Sequence, residues 1–224
     1  MNTISGNPLL TEEQKHFLFR LRESELRNRF YLTGGTALAA FYLQHRLSED
    51  LDFFSGEAIA VEEILAFLKS LTCVSGIDYQ HKFDRRMFTL QYPSKKSLKV
   101  EFTLYPFPAC EDGVVVENIG VDSLRDILAN KLMAMTDRRD AKDYVDLYIA
   151  LKANTGMDID RLLGDAERKF GITGLEHILQ GRFLEALPPL GILKMLEQPD
   201  TADIAEFFKS QARIWIARSG LGNG

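Results

Sequence analysis

The sequence predicts an α+β fold: a mixed sheet with flanking helices, followed by an all-helical segment. Two observations predict it. Strand-like runs are confined to roughly the first 120 of the 224 residues, where they alternate with amphipathic runs. From Asp122 onward the apolar residues recur only at helical spacing. With 46% hydrophobic residues, 15 Phe and 7 Tyr, the chain can bury a sizeable core, as one large domain or two lobes.

In chain order, Thr11 and Gln14 form a capping-box pattern that opens a helix over about 12–29, with Phe17, Leu18, Leu21 and Leu26 on its apolar side. "FYLTGG" reads as a short strand ending at glycines, and the Ala- and Leu-rich "TALAAFYLQHR" after it as a helix. "DLDFF" alternates carboxylate and apolar residue, the period of a strand, and "AVEEILAFLKSL" is an amphipathic helix. "YQHKFDRRMFTLQY" and "SLKVEFTLYPF" are two strand-like runs separated by the turn-forming "PSKK", and "GVVVENIGV" adds a further strand. Helices are expected at about 122–136, 139–152, 158–169, 174–186 and 201–217. The expected division is therefore a mixed α/β lobe over 1–120 and a helical lobe over 121–224.

A formal charge of −5 leaves no broad basic surface and argues against indiscriminate coating of nucleic acid. A local patch remains open: Arg85, Arg86, Lys95, Lys96 and Lys99 read either as an ordinary solvated hairpin or as a docking surface for an RNA backbone. Cys73 and Cys110 make neither metal-ligand spacing nor a disulfide framework, which fits thiols in a reducing compartment. His45 and His81 belong to no metal spacing and read as structural or surface residues. The N-terminal segment lacks the pattern of a signal peptide, and no apolar stretch approaches the roughly 20 residues of a membrane span. A soluble, cytoplasmic protein is expected.

The chemistry lies in "YLTGGTALAAFYLQHRLSEDLDFF", residues 31–54. On a strand, Asp50 and Asp52 leave the same face with Cα atoms about 6.5–7 Å apart, while Leu51 and Phe53 turn to the core. Two adjacent carboxylates repel unless a cation lies between them, and oxygen ligands suit Mg²⁺ or Mn²⁺. Gly34 and Gly35 allow a tight turn and a close ligand, the following helix offers N–H groups and a positive dipole end to a phosphate, and the Thr36 hydroxyl adds a contact. The strand–turn–helix–strand path brings the two parts near one another, so that metal and triphosphate meet in one place.

This arrangement resembles the polymerase-β-like nucleotidyltransferase superfamily. Within it, "HRLSEDLDFF" looks like the corresponding segment of the AbiEii/AbiGii toxin family, and "LRDILANKLMAMTDRRDAKDYVDLYIAL" is similar to that family's helical motif. The resemblance covers about residues 30–55 and 120–151. It implies nucleotidyl transfer with two Mg²⁺ (or Mn²⁺) ions, moving an NMP from an NTP to an acceptor hydroxyl. Asp50 and Asp52 would hold metal, and Glu101 in "LKVEFTLY" would be the third carboxylate, metal ligand or base, with Asp84 the weaker candidate. Glu101 stands where family members more often carry Asp. Gly34, Gly35 and Thr36 would bind the nucleotide, as would Lys131, Lys142 and Asp143, while Arg46 and Ser48 would orient the loop before Asp50. The helical lobe would complete the nucleotide or acceptor site. The toxin resemblance implies tRNA as acceptor, modified at its 3′ end, and a cognate antitoxin as partner.

Read without the resemblance, Lys131 lies on an apolar stripe with Leu124, Ile127, Leu128 and Met135, where a lysine either snorkels or meets an anion. On the next helix Tyr144, Leu147, Tyr148 and Leu151 are expected to face inward, with Asp140, Asp143 and Asp146 on a flank and Lys142–Asp146 a solvated pair. Three alternatives to the RNA-directed enzyme stay open at this point. They are transfer to a small molecule such as an aminoglycoside or to a protein side chain, a non-catalytic nucleotide-binding, antitoxin-like module, and a purely structural or interaction protein.

Overall fold

A computed structural model describes residues 3–153, 156–191 and 193–221. The chain divides into two compact units, Met1–Leu124 and Arg125–Gly224. No helix among the described residues is long and apolar enough to cross a membrane. Cys73 and Cys110 are not disulfide-bonded.

The first unit opens with α1 (Glu12–Arg22), whose capping box forms as the sequence predicts: Gln14 N–H donates to Thr11 Oγ1, and Thr11 N–H to Gln14 Oε1. The helix stops earlier than expected. Ser24 donates its hydroxyl to the Leu21 carbonyl, and Glu25–Asn28 continue as a 3₁₀ turn. There follow β1 (Tyr31–Thr33), α2 (Gly34–Ala37), β2 (Leu51–Ser55), α3 (Val61–Lys69), β3 (Gly76–Lys82), β4 (Arg85–Gln91), β5 (Ser97–Leu104), β6 (Val114–Val116) and β7 (Ile119–Val121).

Three expectations are corrected here. The helix after the glycines is a single α-turn that widens into a π-helix over Leu38–Leu43 and ends at Gln44 with φ 52°. Asn7 donates its side-chain amide to the Ala40 carbonyl within this stretch. The run 79–92 is two strands, because the chain reverses at Phe83 and Asp84. Asp84 is therefore an exposed turn residue, not a strand residue beside the carboxylates. The run 113–121 is likewise two short strands, turning at Glu117 and Asn118, both with positive φ.

The strands form one seven-stranded sheet in the order β3-β4-β5-β2-β1-β7-β6, with β2 antiparallel to β1 and parallel to β5. Leu51, Phe53, Val100, Phe102, Phe88 and Leu90 point to the face covered by α1 and α3 and are at most 1% exposed. Phe17 of α1 lies 5.8 Å from the Phe53 ring and meets Phe67 of α3 edge-on at 5.6 Å, while Phe53 stacks on Phe102. This aromatic layer leaves the opposite face of the same strands for function.

The second unit comprises α4 (Leu124–Asp137), α5 (Ala141–Lys152), α6 (Ile159–Phe170), α7 (Leu175–Leu184) and α8 (Thr201–Leu221), within a few residues of the predicted helices. Asp140 and Asp158 cap α5 and α6 by accepting from Lys142 N–H and Arg161 N–H. Gly171 ends α6 in the left-handed conformation. The core gathers on Trp215, which stacks against Phe183, with Phe208 and Tyr144 beside them.

Candidate active site

Strand register decides which side chains share a face. Asp52 of β2 lies directly beside Glu101 of β5 and beside Thr33 of β1. Adjacent strands run about 4.8 Å apart, so Asp52 and Glu101 leave the same face as close neighbours. Leu51 and Phe53 are fully buried on the other face, and Asp50 stands one residue before β2 begins. Asp52 therefore leaves the open face with Glu101 on the neighbouring strand, and Asp50, expected on the same strand, is an exposed residue just ahead of it.

The glycine turn closes onto this pair. Gly34 has φ +70°, and a Cβ there would come within 2.3 Å of Asp52 Oδ2. A Cβ on Gly35 would come within 2.7 Å of Arg46 Nη2 and 2.9 Å of Ser48 Oγ. Gly34 needs glycine so that the backbone can meet the carboxylate, and a Cβ on Gly35 would displace the ends of the Arg46 and Ser48 side chains that lie against the turn. Arg46 is buried and donates to the Leu47 carbonyl, and Gln14 of α1 donates to the Ser48 carbonyl. The loop before Asp50 is pinned from two sides.

Thr36 departs from expectation. It is buried, and its hydroxyl donates to the Asp50 carbonyl oxygen instead of facing outward to a phosphate. Its hydrogen is committed to fixing the backbone that carries Asp50.

Glu101 accepts from the Thr103 hydroxyl at 2.9 Å and pairs with Arg85 Nε at 3.5 Å. The donor set Asp50, Asp52 and Glu101 is all oxygen, the chemistry a hard divalent cation takes. Among the described residues, however, no three His, Cys, Asp or Glu side chains converge as a metal cluster. The Asp52–Glu101 register is compatible with a cation site, and a third ligand requires the Glu101 carboxyl to turn toward Asp52, which its second oxygen can do while Oε1 keeps Thr103 and Arg85.

The helical unit holds the other predicted residues, and their setting differs from expectation. Lys131 is 7% exposed, with Nζ 3.1 Å from Asp143 Oδ1 and 2.8 Å from Asp146 Oδ2. Asp143 and Asp146 are fully buried, not on a solvated flank, because both serve this lysine. Burial pushes Asp143 upward, yet Lys131 and Arg138 outweigh it and hold the carboxyl below its ordinary range. Lys142 pairs with Asp140 at 3.3 Å, not with Asp146. Of the expected inward residues, Tyr144 and Leu147 are buried and Tyr148 and Leu151 half-buried.

A second buried ion pair, Lys169 with Asp126, and the Arg125–Asp165 pair were not legible in the sequence. Nor was the half-buried aromatic chain beside the carboxylates, in which Tyr31 meets Phe54 edge-on and Phe54 stacks on Tyr105 at 4.1 Å. The i+2 step from Asp52 to Phe54 was the one available signal.

A glycine turn thus lies against Asp52, with Glu101 in register on the adjacent parallel strand, on a mixed sheet with flanking helices. The chain belongs to the nucleotidyl transferase AbiEii toxin family of type IV toxin–antitoxin systems, whose family model matches residues 16–213. An uncharacterized protein of Aquifex aeolicus, aq_aa25, is 26% identical over 211 residues, 92% of this chain and 98% of that one. JHP933 of Helicobacter pylori superposes with a TM-score of 0.59 at 21% identity, covering 96% of both chains. The MenT4 nucleotidyltransferase toxin of Mycobacterium tuberculosis superposes at 0.57 and 18% identity, covering 91% of this chain and 82% of that one. At such identities the structural likeness is one of fold.

Proposed function

We propose that this toxin-family nucleotidyltransferase moves an NMP from an NTP to a hydroxyl of an RNA acceptor, with tRNA the expected acceptor and a cognate antitoxin the expected protein partner. The observation that carries the reading is the Asp52–Glu101 register with Gly34 closed onto Asp52. The acceptor oxygen forms a bond to the α-phosphorus while the bond from that phosphorus to the bridging oxygen breaks, and pyrophosphate leaves.

Asp50, Asp52 and Glu101 are the residues that would hold Mg²⁺ or Mn²⁺. Bound there, two such ions supply Lewis-acid stabilisation of the attacking and leaving oxygens. The protein's own share is positional. Gly34 and Gly35 admit the triphosphate against the turn, Thr36 fixes the Asp50 backbone, and Arg46 and Ser48 hold the turn in place. Glu101, the third carboxylate, would serve as metal ligand or as the base that takes the acceptor proton. Lys131, Lys142 and Asp143 are assigned to the nucleotide by family likeness. Because Lys131 already meets two buried carboxylates, Lys131→Ala is read for NTP affinity and for Tm together: weaker binding by a variant that is still folded at the assay temperature supports the assignment, and unchanged affinity removes Lys131 from the site.

The engagement of Glu101 by Thr103 and Arg85 favours a second reading, a module that binds nucleotide without turnover. One experiment separates the two. The protein is incubated with Mg²⁺, each α-labelled NTP in turn and total cellular RNA, beside Asp50→Ala and Asp52→Ala. Label entering a tRNA-sized band with wild type, and reduced at least about 100-fold in either variant, supports transfer, since such ions contribute several kcal/mol at the transition state. Metal-dependent NTP binding with no label transferred to any acceptor favours the second reading.

A further inference from the structure

We propose that Lys82, Arg85 and Lys99, on the carboxylate-bearing face of the sheet, bind the phosphates of the RNA acceptor while Phe83 at the β3–β4 turn stacks on one of its bases. This rests on the reading above that the acceptor is RNA.

Register places the cations. Glu101 pairs with Met87, and Met87 with Gln80, so these side chains leave the same face as Asp52. Two residues along, Thr103 pairs with Arg85 and Arg85 with Lys82; two residues the other way, Lys99 pairs with Thr89. Lys82, Arg85 and Lys99 thus flank the row that leads from the sheet edge to Glu101 and Asp52, and all three are exposed. The basic cluster expected from sequence is divided by the same rule. Arg86 pairs with Phe102 on the opposite face, among Phe30, Ser55 and Glu57, and Lys96 is held by Glu13 at 3.1 Å. Residues 76–104 carry six Lys or Arg against Asp78, Asp84 and Glu101, in a chain of net charge −5. Positive charge collected beside the carboxylates complements a polyanion entering that face.

Phe83 is the second, independent observation. It is 83% exposed and has φ 51° as the first residue of the two-residue turn between Lys82 and Arg85. That backbone suits Gly or Asn, and an aromatic ring there gains nothing from the core. A ring held out beside phosphate-binding cations is the arrangement on which single-stranded bases stack. Arg85 links this surface to the chemistry. Its side chain is 56% exposed, and its pairing with Glu101 at 3.5 Å is a weak one that a phosphate can displace as RNA arrives.

The test is fluorescence anisotropy of a short 5′-labelled single-stranded RNA with the full chain, across a salt series. Lys82→Ala/Arg85→Ala/Lys99→Ala should weaken binding at least about tenfold and lower the salt slope by about two, at roughly 0.7 for each phosphate no longer neutralised. Phe83→Gly should weaken binding about tenfold with the slope unchanged, and with Tm kept or raised because glycine relieves the positive φ. Lys69→Ala, an exposed lysine of α3 on the opposite face, should leave affinity and slope unaltered. If wild type transfers label to RNA but the triple and Phe83 variants bind it as wild type does, this surface is wrong and the RNA reading stands. If wild type binds no RNA and labels a small molecule or a protein instead, both fall.

Discussion

Gly34 shows how much one missing side chain decides. With φ +70° and only 2.3 Å from a built Cβ to Asp52 Oδ2, Gly34→Ala must move the turn or the carboxylate. The expected cost is about 1–3 kcal/mol of backbone strain, measurable in urea, with a larger loss in nucleotide transfer. A variant as active as wild type would show that the turn and Asp52 are not coupled. Thr36 works by the same logic on the backbone side. Thr36→Ser keeps the hydroxyl that donates to the Asp50 carbonyl, whereas Thr36→Val removes it at similar volume. Transfer should survive the first and fall in the second, which steady-state kinetics will read. "GGT" is legible as a functional signature in the sequence, but the threonine's task is not. A hydroxyl in a turn can donate outward to a phosphate or inward to a carbonyl, and only the fold of residues 44–50 back onto it chooses.

The secondary elements place charge with the same economy. On α4 and α5, Lys131, Asp143, Asp146 and Arg138 form a compensated group whose two aspartates are fully buried. Lys131→Met leaves those carboxylates short of a cation, and breaking a buried pair on one side costs about 3–5 kcal/mol. Denaturant unfolding of this variant should show that loss, and adding Asp146→Asn should recover part of it. Equal stability of wild type and Lys131→Met would mean the group is not structural. The i+3 spacing of Asp140, Asp143 and Asp146 is visible in the sequence and marks one helix flank. Whether that flank meets water or a lysine of the preceding helix depends on packing between helices, which spacing does not encode.

At the scale of the whole chain, the single tryptophan is a reporter for one unit. Trp215 is buried in the helical unit and donates from Nε1 to Asp160 Oδ1 at 2.6 Å. Burial pushes Asp160 up, but the Trp215 and Arg218 hydrogen bonds prevail and hold it below its ordinary 3.8; Asp143 and Asp165 are likewise held low by their Lys and Arg partners against their own burial. Carboxyls lowered in the folded state stabilise it above pH 3.8, and that contribution is lost as pH falls from there through the lowered values. Trp215 emission should therefore stay blue through mild acid and shift red only below about pH 3.8. A red shift that is complete well above that pH would mean other groups control acid unfolding.

The sequence by itself determined the fold class, the helices of the second unit to within a few residues, and the proximity of the glycine turn to the Asp-x-Asp segment. These depend on local periodicity and turn chemistry, which a few adjacent residues encode. Tertiary structure decided that Glu101 stands beside Asp52, that Arg85 and Arg86 face opposite ways, that Asp84 is a turn residue, and that Lys131 spends its charge on Asp143 and Asp146. Each of those follows from register between strands or packing between helices. A shift of one residue in strand register exchanges the two faces of a strand, and the composition of the strand does not change with it.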